Sequence, residues 1–143
     1  MYRGPTIDIA AGTFTDAAGN NNTAATQYSW TYDGTSPTMV ITAVNTGGTS
    51  VSTGSTTNDG TLKITFTSSE STTNFAASDV TVSGGSISSF SGSGTTYTAT
   101  FTPSADGATT IDIAAGTFTD VSGNTNSAAT QHTWTYDVNT PPV

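Results

Sequence analysis

The stretch TLKITFT, residues 61–67, alternates apolar and polar side chains without interruption. In an extended chain it places Leu62, Ile64 and Phe66 on one face and threonine and lysine on the other. The stretch TYTATFT, residues 96–102, has the same pattern. Alternation of period two predicts antiparallel β-strands that pack against a core on one side and face solvent on the other.

The composition favours an all-β protein and argues against several other classes. The 143 residues include 34 threonines, 18 serines and 15 glycines but one leucine, which disfavours helices. Arg3 and Lys63 are the only cationic side chains beside a net charge of −8, which argues against nucleic acid as a partner. No apolar run is long enough for insertion into a membrane. The lack of cysteine excludes disulfides and thiol catalysis.

Part of the sequence occurs twice. The stretch TIDIAAGTFTD, residues 6–16, recurs unchanged at residues 110–120. The similarity continues to Pro37 and Pro141 at a constant offset of 104, and 23 of the 32 positions are identical. A period of 104 residues exceeds the solenoid repeats of about 20–50 residues. It matches an immunoglobulin-like sandwich, which has about 100 residues.

The duplication predicts a tandem repeat with three parts in this chain. Residues 1–36 are expected to be the C-terminal strands of a preceding repeat plus a linker, residues 37–137 a complete repeat, and residues 138–143 the start of the next linker. Further alternating runs and glycine-rich turn signals, such as GSG at residues 92–94, predict about seven short strands in the complete repeat. This pattern is typical of a Greek-key, immunoglobulin-like β-sandwich.

The apolar faces of these strands define a predicted core. Phe75 lies in the irregular segment at residues 69–78 and is expected to close one end of the core. The other predicted core residues are Leu62, Ile64, Phe66, Val80, Val82, Tyr97, Phe101, Ile111, Ile113, Phe118 and Trp134.

Four short motifs carry a family resemblance: DVTV at residues 79–82, GSGTTY at 92–97, IAAG at 113–116 and DVSGN at 120–124. With them the complete repeat, and the partial first copy, resemble the bacterial Ig-like repeats of giant surface proteins and adhesins. The resemblance implies an extracellular, cell-surface location and repeats stacked end to end. In several relatives calcium stiffens the linkers, so the resemblance also implies structural calcium as the cofactor to consider.

The candidate metal ligands are four aspartates. The linkers contribute Asp33 and Asp137, although they lack the common Asp-Thr-Thr-Ala-Pro sequence and keep only the spacing of Asp and Pro. Asp16 and Asp120 begin oxygen-rich, glycine-containing loops of the kind that can supply the six to eight oxygens of a calcium site. The alternative is an Asx turn, in which each carboxylate accepts hydrogen bonds from its own backbone.

No catalytic residue is predicted. His132 is the only histidine, its counterpart in the first copy is Tyr28, and it shares a strand face with Trp134. A packing role is therefore expected, rather than general-base catalysis, and the protein is not expected to be an enzyme.

Two aromatic stripes occupy equivalent positions in the two copies. Trp30 and Tyr32 with Tyr28 form the first, and Trp134 with Tyr136 forms the second. We expect burial, because a domain with so few large apolar residues needs them in its core. If they were exposed, they would form a platform for stacking against sugars.

The sequence predicts a non-enzymatic spacer, or stalk, repeat of a large bacterial extracellular adhesin or filament-like surface protein. The alternative is a carbohydrate- or surface-binding Ig-like module whose partner is a host surface or glycan.

The duplicated segment also predicts a partner. Residues 6–33 duplicate residues 110–137, but only one set of earlier strands, at residues 38–102, is present. A two-stranded hairpin is marginally stable alone and its free edges invite pairing. We therefore expect residues 6–33 to pack against a neighbouring repeat or a second copy of the chain, by strand exchange or edge pairing. A form that begins at Ser36 is expected to be monomeric and equally stable.

Overall fold

The structure is a computed structural model that describes residues 4–139. The chain divides into two compact units, one ending at Gly34 and the other beginning at Thr35. In the described residues the regular structure is β-strand, apart from one 3-10 turn at Ala77–Asp79, which confirms the all-β prediction. No helix in this part of the chain has the length and hydropathy needed to cross a membrane.

The N-terminal unit contains a small antiparallel sheet. Strand β1 (Thr6–Ile7) pairs with β2 (Tyr28–Ser29), and an isolated bridge joins Thr15 to Asn21 in the loop between them. A single pair of strands forms only one layer, as an isolated hairpin does.

The C-terminal unit contains two sheets. The first has the order β3-β5-β7 and the second β4-β9-β8-β6. Their strands are β3 (Met39–Val44), β4 (Thr56–Thr57), β5 (Leu62–Thr72), β6 (Thr81–Ser83), β7 (Gly85–Pro103), β8 (Gly107–Asp112) and β9 (His132–Tyr136). The pair β4–β9 is parallel and the other pairs are antiparallel. These seven strands confirm the predicted Ig-like β-sandwich.

The core lies where the apolar faces of the two sheets meet. The ring of Phe101 on β7 contacts that of Trp134 on β9 edge-on, with centroids 4.7 Å apart. The ring centroid of Phe75 lies 5.1 Å from that of Phe118 and 5.5 Å from that of Phe66, which places Phe75 in the core.

Most of the predicted core is buried. Val80 and Val82 are the exceptions, because they are only partly buried. Val82 belongs to β6, a strand of three residues at the edge of its sheet, which is covered less well than a central strand.

The predicted turn at residues 92–94 is confirmed, because β7 folds back on itself there. The N–H of Ser104 donates to the carbonyl of Gly84 at 3.0 Å, and Oγ of Ser91 lies 3.5 Å from Oγ1 of Thr98. Gly92 and Gly94 have φ angles of 133° and 67°, and the pairing of β5 with β7 shifts register between Thr67 and Thr72. Glycine tolerates these angles without steric cost. The two glycines therefore allow the chain to reverse within β7.

Candidate functional site

The loops that begin at Asp16 and Asp120 have the same internal hydrogen bonds. Oδ1 of Asp120 accepts the backbone N–H groups of Ser122 and Asn124, both at 2.9 Å, and Oδ2 accepts the side-chain amide of Asn124 at 3.0 Å. Asp16 accepts the three equivalent bonds in the first copy, at 2.9, 2.9 and 3.0 Å. Both loops therefore contain the Asx turn of the alternative interpretation.

These bonds also act on the acidity of the two carboxyl groups. The side-chain amides of Asn20 and Asn124 lower the pKa of Asp16 and Asp120 below the ordinary value, and backbone donors add to the effect. Donors favour the ionised carboxylate because it is the stronger acceptor. Each aspartate therefore stabilises its own loop in the charged form.

A second side chain in each loop was missed by the sequence analysis. Oδ1 of Asn126 accepts the N–H groups of Thr117 and Phe118 at 2.8 and 3.0 Å, and Nδ2 donates to the carbonyls of Ala114 and Ser127 at 2.9 and 3.0 Å. The Asn22 side chain makes the same four bonds in the first copy. In both copies this asparagine follows the aspartate by six residues, and that shared spacing could have indicated its role.

The structure brings one predicted metal ligand close to an unpredicted carboxylate in the C-terminal unit. Ligand oxygens of Glu70, on β5, and Asp120 lie within 4.8 Å of each other. Asp137 instead accepts the N–H of Asn139 at 2.9 Å, and Asp16 is exposed. Asp33 is half-buried in the N-terminal unit. Glu70 and Asp120 are hard oxygen donors, so the pair suits a calcium ion as part of its ligand set.

The two aromatic stripes differ in burial. Trp134 is buried, as predicted, whereas Tyr28, Trp30 and Tyr32 are exposed, so the prediction of burial is wrong for the first copy. The rings of Tyr28 and Trp30 are 5.8 Å apart. Within its own unit the strand pair β1–β2 offers one layer, and burial of a sheet face needs a second layer.

A family model described as a bacterial Ig-like domain matches residues 33–138. The chain belongs to this family. The searches of curated proteins and of solved structures gave no significant match. Bacterial Ig-like domains are generally non-catalytic structural or binding modules, and they commonly occur in surface or extracellular proteins. The family resemblance of the sequence is thereby confirmed.

The histidine of this Ig-like domain has a packing role, as predicted. His132 is buried, its Nε2 donates to the carbonyl of Val51 at 3.0 Å, and its Nδ1 lies 3.4 Å from Oγ1 of Thr53. Burial lowers the pKa of His132, and the bond to Val51 partly opposes that shift. The neutral imidazole is therefore the form that fits the folded domain.

The stability of the domain should fall as the pH decreases from about 7 to about 5, because the unfolded chain then binds a proton at His132 that the folded domain resists. The loss begins near the unfolded pKa of 6.5. Asp16 and Asp120, whose pKa values are lowered, change the pH dependence of stability only below about pH 4. Urea unfolding at several pH values measures the effect. The His132→Gln variant should have a flatter profile in this window, and an unchanged slope would contradict the assignment.

The role of calcium stays a prediction, and thermal melting tests it. A divalent cation would relieve the repulsion between neighbouring carboxylates and bind the native state only. Melting in millimolar Ca²⁺ should then show about 2–4 kcal/mol more stability at saturation than melting with excess EDTA. Identical curves in the two buffers would contradict the prediction.

Single substitutions would assign the calcium ligands. Each replaces one carboxylate by its neutral amide and should reduce the calcium-dependent shift only where that carboxylate is a ligand. The variants are Asp33→Asn, Asp137→Asn, Asp16→Asn, Asp120→Asn and Glu70→Gln. Glu70→Gln is the cleanest of the C-terminal pair, because Asp120→Asn also perturbs the hydrogen bonds of its own loop.

Proposed function

We propose that this chain is a structural spacer from the stalk of a large extracellular bacterial protein, such as an adhesin or a filament-like surface protein. Membership of the bacterial Ig-like family supports a structural or surface-associated module. The observation that carries the more specific role is the duplication. The last strands and loop of the domain occur a second time, directly before it, with the same internal hydrogen bonds.

The pairing of the C-terminal strand supports a rigid unit. Strand β9 runs parallel to β4, and three backbone bonds join residues 54–57 to residues 133–137. They run from Gly54 N–H to Thr133 O at 2.8 Å, from Thr135 N–H to Ser55 O at 2.8 Å, and from Asp137 N–H to Thr57 O at 3.0 Å. These bonds join the last strand to the middle of the chain, which holds the C-terminal end of the domain in place.

Small-angle X-ray scattering on tandem fusions of residues 33–138 tests the spacer function. The maximum dimension should increase by a constant amount with each added copy, because stiff units joined by short linkers cannot fold back on each other. A dimension that grows as the square root of the copy number, as in a flexible chain, would contradict the proposal. A single fused copy provides the unit length as the reference.

A second candidate function is carbohydrate binding, and the exposed stripe of Tyr28, Trp30 and Tyr32 favours it. Aromatic rings in the open can stack against the apolar faces of sugars. A glycan array probed with the full chain and with Trp30→Ala distinguishes the two functions. The spacer predicts no binding by either protein, whereas a lectin-like module predicts binding that Trp30→Ala abolishes. Thr31→Ala, at the next position in the chain, is the matched control.

A further inference from the structure

The N-terminal unit exposes a face that its counterpart buries. Phe14 is 59% exposed and Trp30 is 44% exposed, whereas Phe118 and Trp134, 104 positions later, are each 1% exposed. The same contrast separates Ile7 and Ile9 from Ile111 and Ile113. These four exposed side chains and that of Tyr28 correspond to buried residues of the second copy, and exposed apolar faces mark interaction sites.

The backbone that carries this face already has the conformation of the buried copy. The N–H of Gly12 donates to the carbonyl of Asn22 at 3.1 Å, and the N–H of Asn22 donates to the carbonyl of Phe14 at 2.9 Å. The equivalent bonds at residues 116, 126 and 118 are both 3.0 Å. Docking of this face would therefore order little additional backbone, which lowers its entropic cost.

The surface that covers the counterpart comes from earlier strands of the same repeat. Phe101 contacts Trp134 with centroids 4.7 Å apart, and Phe75 contacts Phe118 with centroids 5.1 Å apart. Polar groups match as well. Asn74 Oδ1 accepts the N–H of Thr119 at 3.0 Å.

From this we infer that residues 4–34, the donor segment, dock on a second copy of residues 35–107, the acceptor strands, and complete an Ig-like sandwich. Trp30 would contact Phe101 and Phe14 would contact Phe75, as their counterparts do. Thr15 would take the place of Thr119 beside Asn74. This inference does not depend on the spacer function.

One substitution between the copies affects the fit. Tyr28 of the donor segment replaces His132, which lies beside a groove. That groove is lined by Met39, Val40, Ile41 and Thr53 of the acceptor strands and by Thr130 and Gln131. It gives the larger tyrosine ring a place to extend, so the substitution does not prevent docking.

The numbers of donor segments and acceptor strands determine which partner can bind. The acceptor strands at residues 35–107 are already occupied by residues 110–137. Those residues are tethered, which gives them a high effective concentration. If the donor segment of one chain displaced residues 110–137 of an identical chain, the displaced residues would become exposed instead, and nothing would be gained. The occupant we infer is therefore a copy of the acceptor strands in which the positions of the last strands are free.

Tryptophan quenching on the full chain, with a peptide of residues 35–107 as the probe, tests the inference. The probe contains no tryptophan, and the chain contains Trp30 and Trp134 alone. Trp134 is already buried, so iodide quenching of the free chain reports Trp30. Addition of the probe should abolish that quenching and shift the emission to shorter wavelength. Continued quenching at saturating, soluble probe would overturn the inference.

Two matched variants distinguish specific docking from nonspecific hydrophobic association. Phe14→Ser removes a side chain whose counterpart is buried, whereas Ala17→Ser alters a position whose counterpart, Val121, is exposed. Phe14→Ser should prevent protection of Trp30 and Ala17→Ser should not. Equal protection in both variants would overturn the inference. A further contradictory result would be protection of Trp30 in the full chain without probe that is lost on dilution. That result would show that the face pairs with the same face of another copy.

A fusion covers the case in which the isolated probe aggregates. A second copy of residues 35–107 joined directly to Gly4 restores the spacing of the repeat, because Gly4 is the counterpart of Ala108. Trp30 in this fusion should be as protected from iodide as Trp134. Phe14→Ser should lower the stability of the fusion but not that of the original chain. A fusion in which Trp30 is still quenched would contradict the inference.

Discussion

The Asn126→Ala variant is expected to lose about 3–5 kcal/mol of unfolding free energy, a loss usually associated with the removal of a large core side chain. Asn126 is 3% exposed, and its amide group makes all four of its hydrogen bonds to backbone groups of its own loop. Alanine cannot replace any of them. The N–H groups of Thr117 and Phe118 would lose their partner together, and the carbonyl of Ala114 would keep only its bond from the Thr117 hydroxyl.

The size of the effect follows from desolvation. A buried donor or acceptor left without a partner costs about 1–3 kcal/mol. Phe118, whose N–H is one of these donors, has its side chain in the core. A loop that moved to solvate its N–H would therefore displace a core side chain. Water entering the space left by the amide would recover part of the loss, which limits the total to the stated range.

Asn22→Ala is the matched control for this prediction. Asn22 makes the same four bonds, but it belongs to the unit that ends at Gly34 and is less buried. Its loss should change the cooperative unfolding of the C-terminal unit by less than about 0.5 kcal/mol. Urea denaturation followed by tryptophan emission and circular dichroism measures both variants. Comparable losses in the two variants would show that burial does not set the cost.

The strands were predictable because alternation records burial directly in the sequence. Each apolar residue of the stretch 61–67 lies in the core, and Lys63 between them is exposed. The turn at residues 92–94 was also predictable, because its glycines tolerate the positive φ angles of a reversing chain. The register shift between β5 and β7 was not predictable, because no local pattern indicates which residues pair.

The candidate site shows a sharper limit of sequence analysis. Glu70 lies near Asp120 only because the fold brings together positions 50 residues apart, and no local pattern signals that. The two copies make the same point for burial. Trp30 and Trp134 occupy equivalent positions in closely similar local sequences, yet one is exposed and the other buried. Local sequence determines the conformation of the segment, whereas burial depends on which strands cover it.

Phe101→Ala should cost about 3–5 kcal/mol of unfolding free energy, because it removes a ring from the centre of the sandwich. Phe101 is fully buried, lies opposite Leu62 on β5, and contacts the ring of Trp134. Neighbours cannot easily fill the resulting cavity. Gly85 faces the ring so closely that a Cβ there would lie 2.6 Å from it, and glycine has no side chain to move into the space.

Thr100→Ala is the control, because Thr100 lies on the opposite face of β7 and pairs with exposed Lys63. Its substitution should cost less than about 1 kcal/mol. Urea unfolding measures both variants, and Phe101→Ala should also change the emission of Trp134, whose ring loses an edge-on neighbour. A one-residue slip of β7 would move Thr100 into the core and Phe101 to solvent. A larger loss in Thr100→Ala than in Phe101→Ala would therefore show that this register is wrong, whatever the stability of the parent domain.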